Sequence, residues 1–139
     1  MDICHNSVLA KEGRYLHRKG AAPSDQGLVI IPGSRGSLSY LVKPVGNFAS
    51  AGHSLAHGAG RKWKRSEAMG KLSNRYKAQD LKTTALGSRV ICEDKALLFE
   101  EAPEAYKDIH QVILDLEGFG LIKQVATFRP LITFKKVTS

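Results

Sequence analysis

Leu28-Val29-Ile30-Ile31-Pro32-Gly33-Ser34-Arg35-Gly36-Ser37-Leu38-Ser39-Tyr40-Leu41-Val42 is the stretch whose reading decides the fold. Four consecutive apolar residues, mostly β-branched, predict a buried strand that Pro32-Gly33 stops. Leu38 to Val42 resumes as a second strand and Lys43-Pro44 ends it. The intervening loop carries glycines, serines and one arginine. Glycine lets a backbone approach a ligand closely, and N–H groups with hydroxyls beside them suit a phosphate or a guanine edge. No Gly-Lys-Ser/Thr follows, so this is not a Walker A loop. The same composition also suits a plain hairpin turn.

On the N-terminal side, residues 2–10 and Arg14 to Lys19 read as extended, and Ala21 to Gly27 as a loop. On the C-terminal side, Gly46 to Gly60 has no hydrophobic period and reads as a long irregular loop of the kind that often carries function. Lys62 to Ser73 reads as a short basic helix, Thr83 to Gly87 as a turn, and Arg89 to Cys92 as a short strand. Pro103 suits a first helical position. Tyr106, Ile109, Val112, Ile113 and Leu116 follow it at helical spacing, and Gly118 and Gly120 stop the run. Leu121 to Thr127 and Leu131 to Phe134 read as two closing strands. The sum is an α+β fold with a mixed, partly antiparallel sheet and two or more helices.

The chain has 139 residues, 42% of them hydrophobic and 24% charged, which excludes wholesale disorder. It is one domain or one piece of a larger one. No apolar run approaches a membrane span, and the opening MDICHNSVLAKEGR has no signal-peptide layout. Two cysteines, Cys4 and Cys92, make no disulfide framework and fit a reducing, cytoplasmic setting.

A formal charge of +8 favours a polyanionic partner. The charge is concentrated: from His57 to Arg89 nine Lys/Arg stand against Glu67 and Asp80. That block reads as an anion-facing surface, or as a solubilising one. From Glu93 to Glu117 eight acids stand against Lys95 and Lys107, which reads as a solvated helix face.

Two further constellations carry chemistry. His57-Gly58-Ala59-Gly60-Arg61 puts an imidazole beside small residues ahead of the basic helix, where an anion site could form. Imidazole can attack phosphorus; the alternative is a structural histidine in a glycine-rich loop. Near the N-terminus, Cys4 and His5 are both metal-ligand types. Adjacent residues of a strand face opposite ways, so they cannot easily share one ion, and imidazole suits Mn or Zn. His17, His53 and His110 carry no motif that assigns them a role.

Taken together, these segments resemble the C-terminal part of RtcB-type RNA ligases, which use GTP and Mn²⁺ to join RNA ends. The resemblance rests on His5-Asn6, His17-Arg18-Lys19-Gly20-Ala21-Ala22, Pro32-Gly33-Ser34 to Ser39-Tyr40, His57-Gly58-Ala59-Gly60-Arg61, and Phe128-Arg129-Pro130 to Lys135, in the family's order. It covers essentially the whole chain.

The resemblance implies the following roles. His57 is the nucleophile that attacks the α-phosphate of GTP and carries GMP. His5 is a Mn²⁺ ligand and Asn6 a nucleotide contact. Pro32, Gly33, Ser34, Arg35 and Ser39 form the guanosine loop. Gly58, Ala59 and Gly60 flank the nucleophile, and Lys135 contacts the guanine nucleotide. RNA phosphates would lie along Arg61 to Arg89.

The family's enzymes are considerably longer, and their N-terminal portion supplies the other metal ligands. The expectation is therefore a C-terminal piece without the N-terminal metal-binding half, inactive or weak alone. Such a piece would self-associate as a homodimer through the apolar surface left open. A non-catalytic basic RNA-binding module and a degraded remnant are the alternatives. Arg35 stands where many members carry Met. With Pro32 and the short interval from His5 to His57, this suggests the bacterial branch. One subgroup there is associated with a peptide release factor homologue and repairs ribosomal RNA.

Overall fold

The computed structural model describes residues 4, 6–11 and 13–136. Among the described residues nine strands and three helices follow one another. They are β1 (Asn6–Lys11), β2 (Arg14–Lys19), β3 (Ala21–Pro23), β4 (Val29–Ile31), β5 (Ser39–Pro44), β6 (Ser54–Ala56), α1 (Arg65–Leu72), β7 (Arg89–Ile91), α2 (Lys95–Glu100), α3 (Ile109–Gly118), β8 (Ile122–Phe128) and β9 (Ile132–Phe134). The fold is α+β. Three of its small sheets are antiparallel, and β7 with β9 is parallel. Among the described residues no helix is long and apolar enough to cross a membrane.

The chain divides into two compact units. The first is Met1–Pro32, Ser39–Gly58 and Ile109–Phe128; the second is Gly33–Leu38, Ala59–Asp108 and Arg129–Ser139.

In the first unit, β4 and β8 flank β5 in an antiparallel sheet, with a register irregularity between Leu41 and Val42. Val29, Ile31, Tyr40 and Val42 are buried at alternate positions, as strand periodicity demands. α3 turns Ile109 and Ile113 inward and packs against β8. β1 and β2 form a hairpin through Gly13, whose φ of 71° suits glycine.

The second unit is built on a cluster of Leu72, Leu81, Val90, Cys92, Leu98, Phe99 and Ala102, with Trp63, Met69 and Tyr76 against it. α1 presents Ala68 and Leu72 to it. Glu67 in the first turn and Lys71 in the last complement the helix dipole, and the two form an ion pair at 3.6 Å.

Three expectations need correction. Ala21–Pro23 is not loop but β3, because it pairs with β6 inside the stretch expected to be irregular throughout. The helix expected from Pro103 begins only at Ile109; Pro103–Ala105 is a single 3-10 turn. Tyr106 therefore lies outside the helix, in extended conformation with ψ 155°. Lys95–Glu100 is a helix that spacing did not reveal. Its signal is Asp94, whose carboxylate accepts the N–H of Leu97 at 3.0 Å as an N-cap.

Candidate functional site

In the first unit the structure ties Asn6 to His57 through Gly20. The Gly20 N–H donates to Asn6 Oδ1 at 3.1 Å, and the Gly20 carbonyl accepts the His57 N–H at 3.1 Å. Gly20 holds φ at 66°, left-handed backbone that glycine adopts without strain. Gly20 was part of a matching run but had no role assigned; this double contact gives it one. Gly58 holds φ at 123°, which favours glycine, while a Cβ there would make only an ordinary contact, 3.7 Å from the Pro32 carbonyl oxygen. His57 is half-buried. An open depression of about 450 Å³ lies along Asn6, Ser7, Val8, His17, Arg18 and Lys19. Arg18 is buried and fastens β2, donating to Ser54 Oγ at 2.9 Å and to the His53 carbonyl at 3.0 Å. Ser39 opens β5 opposite Phe128.

In the second unit, Gly33–Leu38 is a self-bonded loop. Ser34 and Ser37 hydroxyls meet at 2.9 Å, and the Ser37 N–H donates to the Ser34 carbonyl at 3.1 Å. The Gly36 N–H also donates to Ser34 Oγ at 3.3 Å. Arg35 turns its guanidinium into the unit, where Nη2 donates to the Leu98 carbonyl at 2.8 Å. Its Nε and Nη1 make no hydrogen bond among the described residues. Burial pulls this guanidinium below its ordinary pKa, while Glu104 opposes the shift. Ser88 Oγ donates to the Arg35 carbonyl at 2.9 Å and fixes the loop's crest.

Ala59, Gly60 and Arg61 follow in this unit. Gly60, at φ 74°, accepts the Lys107 N–H at 3.0 Å, and the Lys62 N–H donates to the Ala105 carbonyl at 2.8 Å. A Cβ on Gly60 would meet nothing within 4 Å, so its surroundings are open. Arg61 is not part of an exposed basic face. Its guanidinium donates to the Glu100 carbonyl at 2.6 Å, the Trp63 carbonyl at 3.1 Å and the Tyr106 hydroxyl at 3.0 Å. It also lies over the Tyr106 ring at 4.8 Å. Lys62, Lys64, Arg65, Lys71, Arg75, Lys77, Lys82 and Arg89 are exposed, so the rest of the basic block does face solvent.

β9 delivers Lys135. Its N–H donates to the Ile91 carbonyl at 2.9 Å, and its ammonium stands 3.8 Å from Glu101 Oε2. Glu101 also receives the Tyr106 hydroxyl at 2.5 Å, Arg61 at 3.4 Å and Arg65 at 3.6 Å. The acidic block had read as a solvated face, so this hub was missed. Burial raises the Glu101 pKa, but the Tyr106 hydrogen bond and the three cations outweigh it and hold it below its ordinary value. Burial and the bond to Glu101 push the Tyr106 phenol up.

A depressed carboxylate pKa has a definite sign for stability. Glu101 contributes in full above the unfolded glutamate value of about 4.3, and that contribution is lost as pH falls through the folded value. Glu101→Gln is expected to flatten the acid limb of stability against pH, measured by thermal melting between neutral pH and strong acid. An unchanged acid limb would contradict the hub.

The expected metal ligand, His5, lies outside the described residues. Among those described, no group of three or more His, Cys, Asp or Glu side chains could hold a metal ion. The described residues therefore do not by themselves make a Mn²⁺ site.

Comparison with known proteins agrees with the motif order. The chain is 56% identical to RNA-splicing ligase RtcB2 of Escherichia coli, over 97% of this chain and 36% of that protein. It is 34% identical to RNA-splicing ligase RtcB of E. coli strain K12, over 95% of this chain and 32% of that protein. It is 34% identical to tRNA-splicing ligase RtcB of Methanocaldococcus jannaschii, over 94% of this chain and 16% of that protein. The chain thus spans about a third or less of the length of these relatives. The family model described as tRNA-splicing ligase RtcB matches residues 1–136, and the chain belongs to the RtcB family.

Proposed function

We propose that this chain carries the guanylylation part of a GTP- and Mn²⁺-dependent RNA ligase, acting in tRNA splicing or RNA repair. The observation that carries the reading is the Asn6–Gly20–His57 connection. It fixes the histidine and a nucleotide-contact residue from distant parts of the chain on one glycine.

In this reading an imidazole nitrogen of His57 attacks the α-phosphorus of GTP. An N–P bond forms and the bond to pyrophosphate breaks. An oxygen of an RNA 3′-phosphate then takes the GMP from His57. The RNA 5′-hydroxyl attacks the activated 3′-phosphate, the phosphodiester forms, and GMP leaves. Ends that start as 2′,3′-cyclic phosphates enter after opening to the 3′-phosphate. Asn6, Ser39 and the backbone of Pro32, Gly33, Ser34 and Arg35 serve the nucleotide, as do Gly58, Ala59, Gly60 and Lys135. Arg35 contributes through its backbone, since its guanidinium is engaged with Leu98. His5 is the metal ligand of this chain, and the remaining ligands come from outside it, so the piece alone is inactive or weak. The exposed cations from Lys62 to Arg89 meet RNA phosphates. Leu131, Ile132 and Phe134, all well exposed, support self-association.

A graft tests the reading. Residues 1–136 replace the matching segment of E. coli RtcB2. The graft is expected to join RNA 3′-phosphate and 5′-hydroxyl ends, and His57→Ala to abolish joining. RNA binding without joining, unchanged by His57→Ala, would leave only a non-catalytic RNA-binding module, which the exposed basic residues would support.

A further inference from the structure

Lys135 is fixed at its backbone by β7, through the Ile91 carbonyl. Its side chain is long and flexible, and an ammonium alone has no preferred direction. Among the described residues its ion pair is with Glu101, at 3.8 Å. The carboxylate itself is far better held. Its side chain is 15% exposed against 36% for Lys135. One oxygen accepts from Tyr106, and the other faces Arg61 and Arg65. Arg61 in turn is pinned by two carbonyls and the Tyr106 hydroxyl. Order therefore runs from Arg61 to Tyr106 to Glu101 and ends on Lys135. A contact of 3.8 Å holds an ammonium by charge while leaving its N–H donors able to serve a ligand.

We propose that Glu101 is the positioning residue for Lys135, setting its ammonium where it meets the guanine nucleotide. The inference rests on the reading that Lys135 contacts that nucleotide. Glu101 touches no substrate in this account. It acts through Lys135, and Tyr106 and Arg61 keep its carboxylate in place.

The test is a double-mutant cycle in the E. coli RtcB2 graft that carries residues 1–136, measuring GTP affinity in the presence of MnCl₂. Lys135→Ala is expected to weaken GTP binding on the order of tenfold. Glu101→Gln keeps an acceptor for the Tyr106 hydroxyl but loses the charge, and should weaken binding by roughly three- to tenfold. In the Lys135→Ala background Glu101→Gln should cost nothing further, whereas a merely structural effect would persist there. Glu101→Asp, which retains the charge, should recover part of the loss. Thermal melting confirms that each variant folds. If the graft without further substitution binds no GTP where unaltered RtcB2 does, or Lys135→Ala binds it normally, the reading of Lys135 fails and the proposal with it. If Lys135→Ala is weak but Glu101→Gln binds normally, or the two losses add, Glu101 alone is overturned.

Discussion

Arg61→Ala is expected to destabilise the second unit by about 3 kcal/mol, the lower end of what removing one partner of a buried ion pair costs. Arg61 and Glu101 keep 20% and 15% of their side-chain surface exposed, so solvent softens the loss. Even so, the substitution removes donors from the Glu100 and Trp63 carbonyls and from the Tyr106 hydroxyl together. It leaves Glu101 short of its innermost cation. Denaturant melts should show a lower midpoint with an unchanged slope. A midpoint within experimental error of wild type would mean that Arg61 belongs to the exposed basic face after all.

Gly33→Ala is expected to cost a similar amount, about 3 kcal/mol, at the top of the usual overpacking range. A Cβ at position 33 would stand 2.1 Å from the Leu38 carbonyl oxygen, 2.9 Å from its carbon and 3.0 Å from the Ser37 carbonyl oxygen. All three are backbone atoms, so no side chain can swing aside. The loop must open, which parts the Ser34 and Ser37 hydroxyls; if it serves the nucleotide as proposed, GTP affinity falls along with stability. Gly36→Ala should be milder, because its single severe contact is Pro103 Cγ at 2.5 Å, a smaller overlap than the 2.1 Å at position 33. Equal losses at the two glycines would contradict the backbone argument.

The pairing of β4 with β5 was legible because Leu28 to Val42 contains its own strand, stop and strand. Helix α3 was legible in its body from the spacing of Ile109, Ile113 and Leu116. Its start was not, since Pro103 opens a different turn and Tyr106 is drawn to Arg61 and Glu101. Strands β3 and β6 were hidden by composition. Ala21–Pro23 and Ser54–Ala56 look like loop, and only their distant pairing makes them strands. The candidate nucleophile was readable only through the order of several motifs, as a lone histidine beside glycines says little. Gly20 and Glu101 were not legible at all as site residues. Their roles lie in what they connect: Asn6 to His57, and Tyr106 to Lys135.

The central claim is that His57 accepts GMP. Its most direct measurement is the intact mass of the RtcB2 graft after incubation with GTP and MnCl₂, followed by peptide mapping. The account predicts a GMP-sized increase located on His57 and absent from His57→Ala. No increase, where unaltered RtcB2 shows one, or an increase on any other residue, would contradict it.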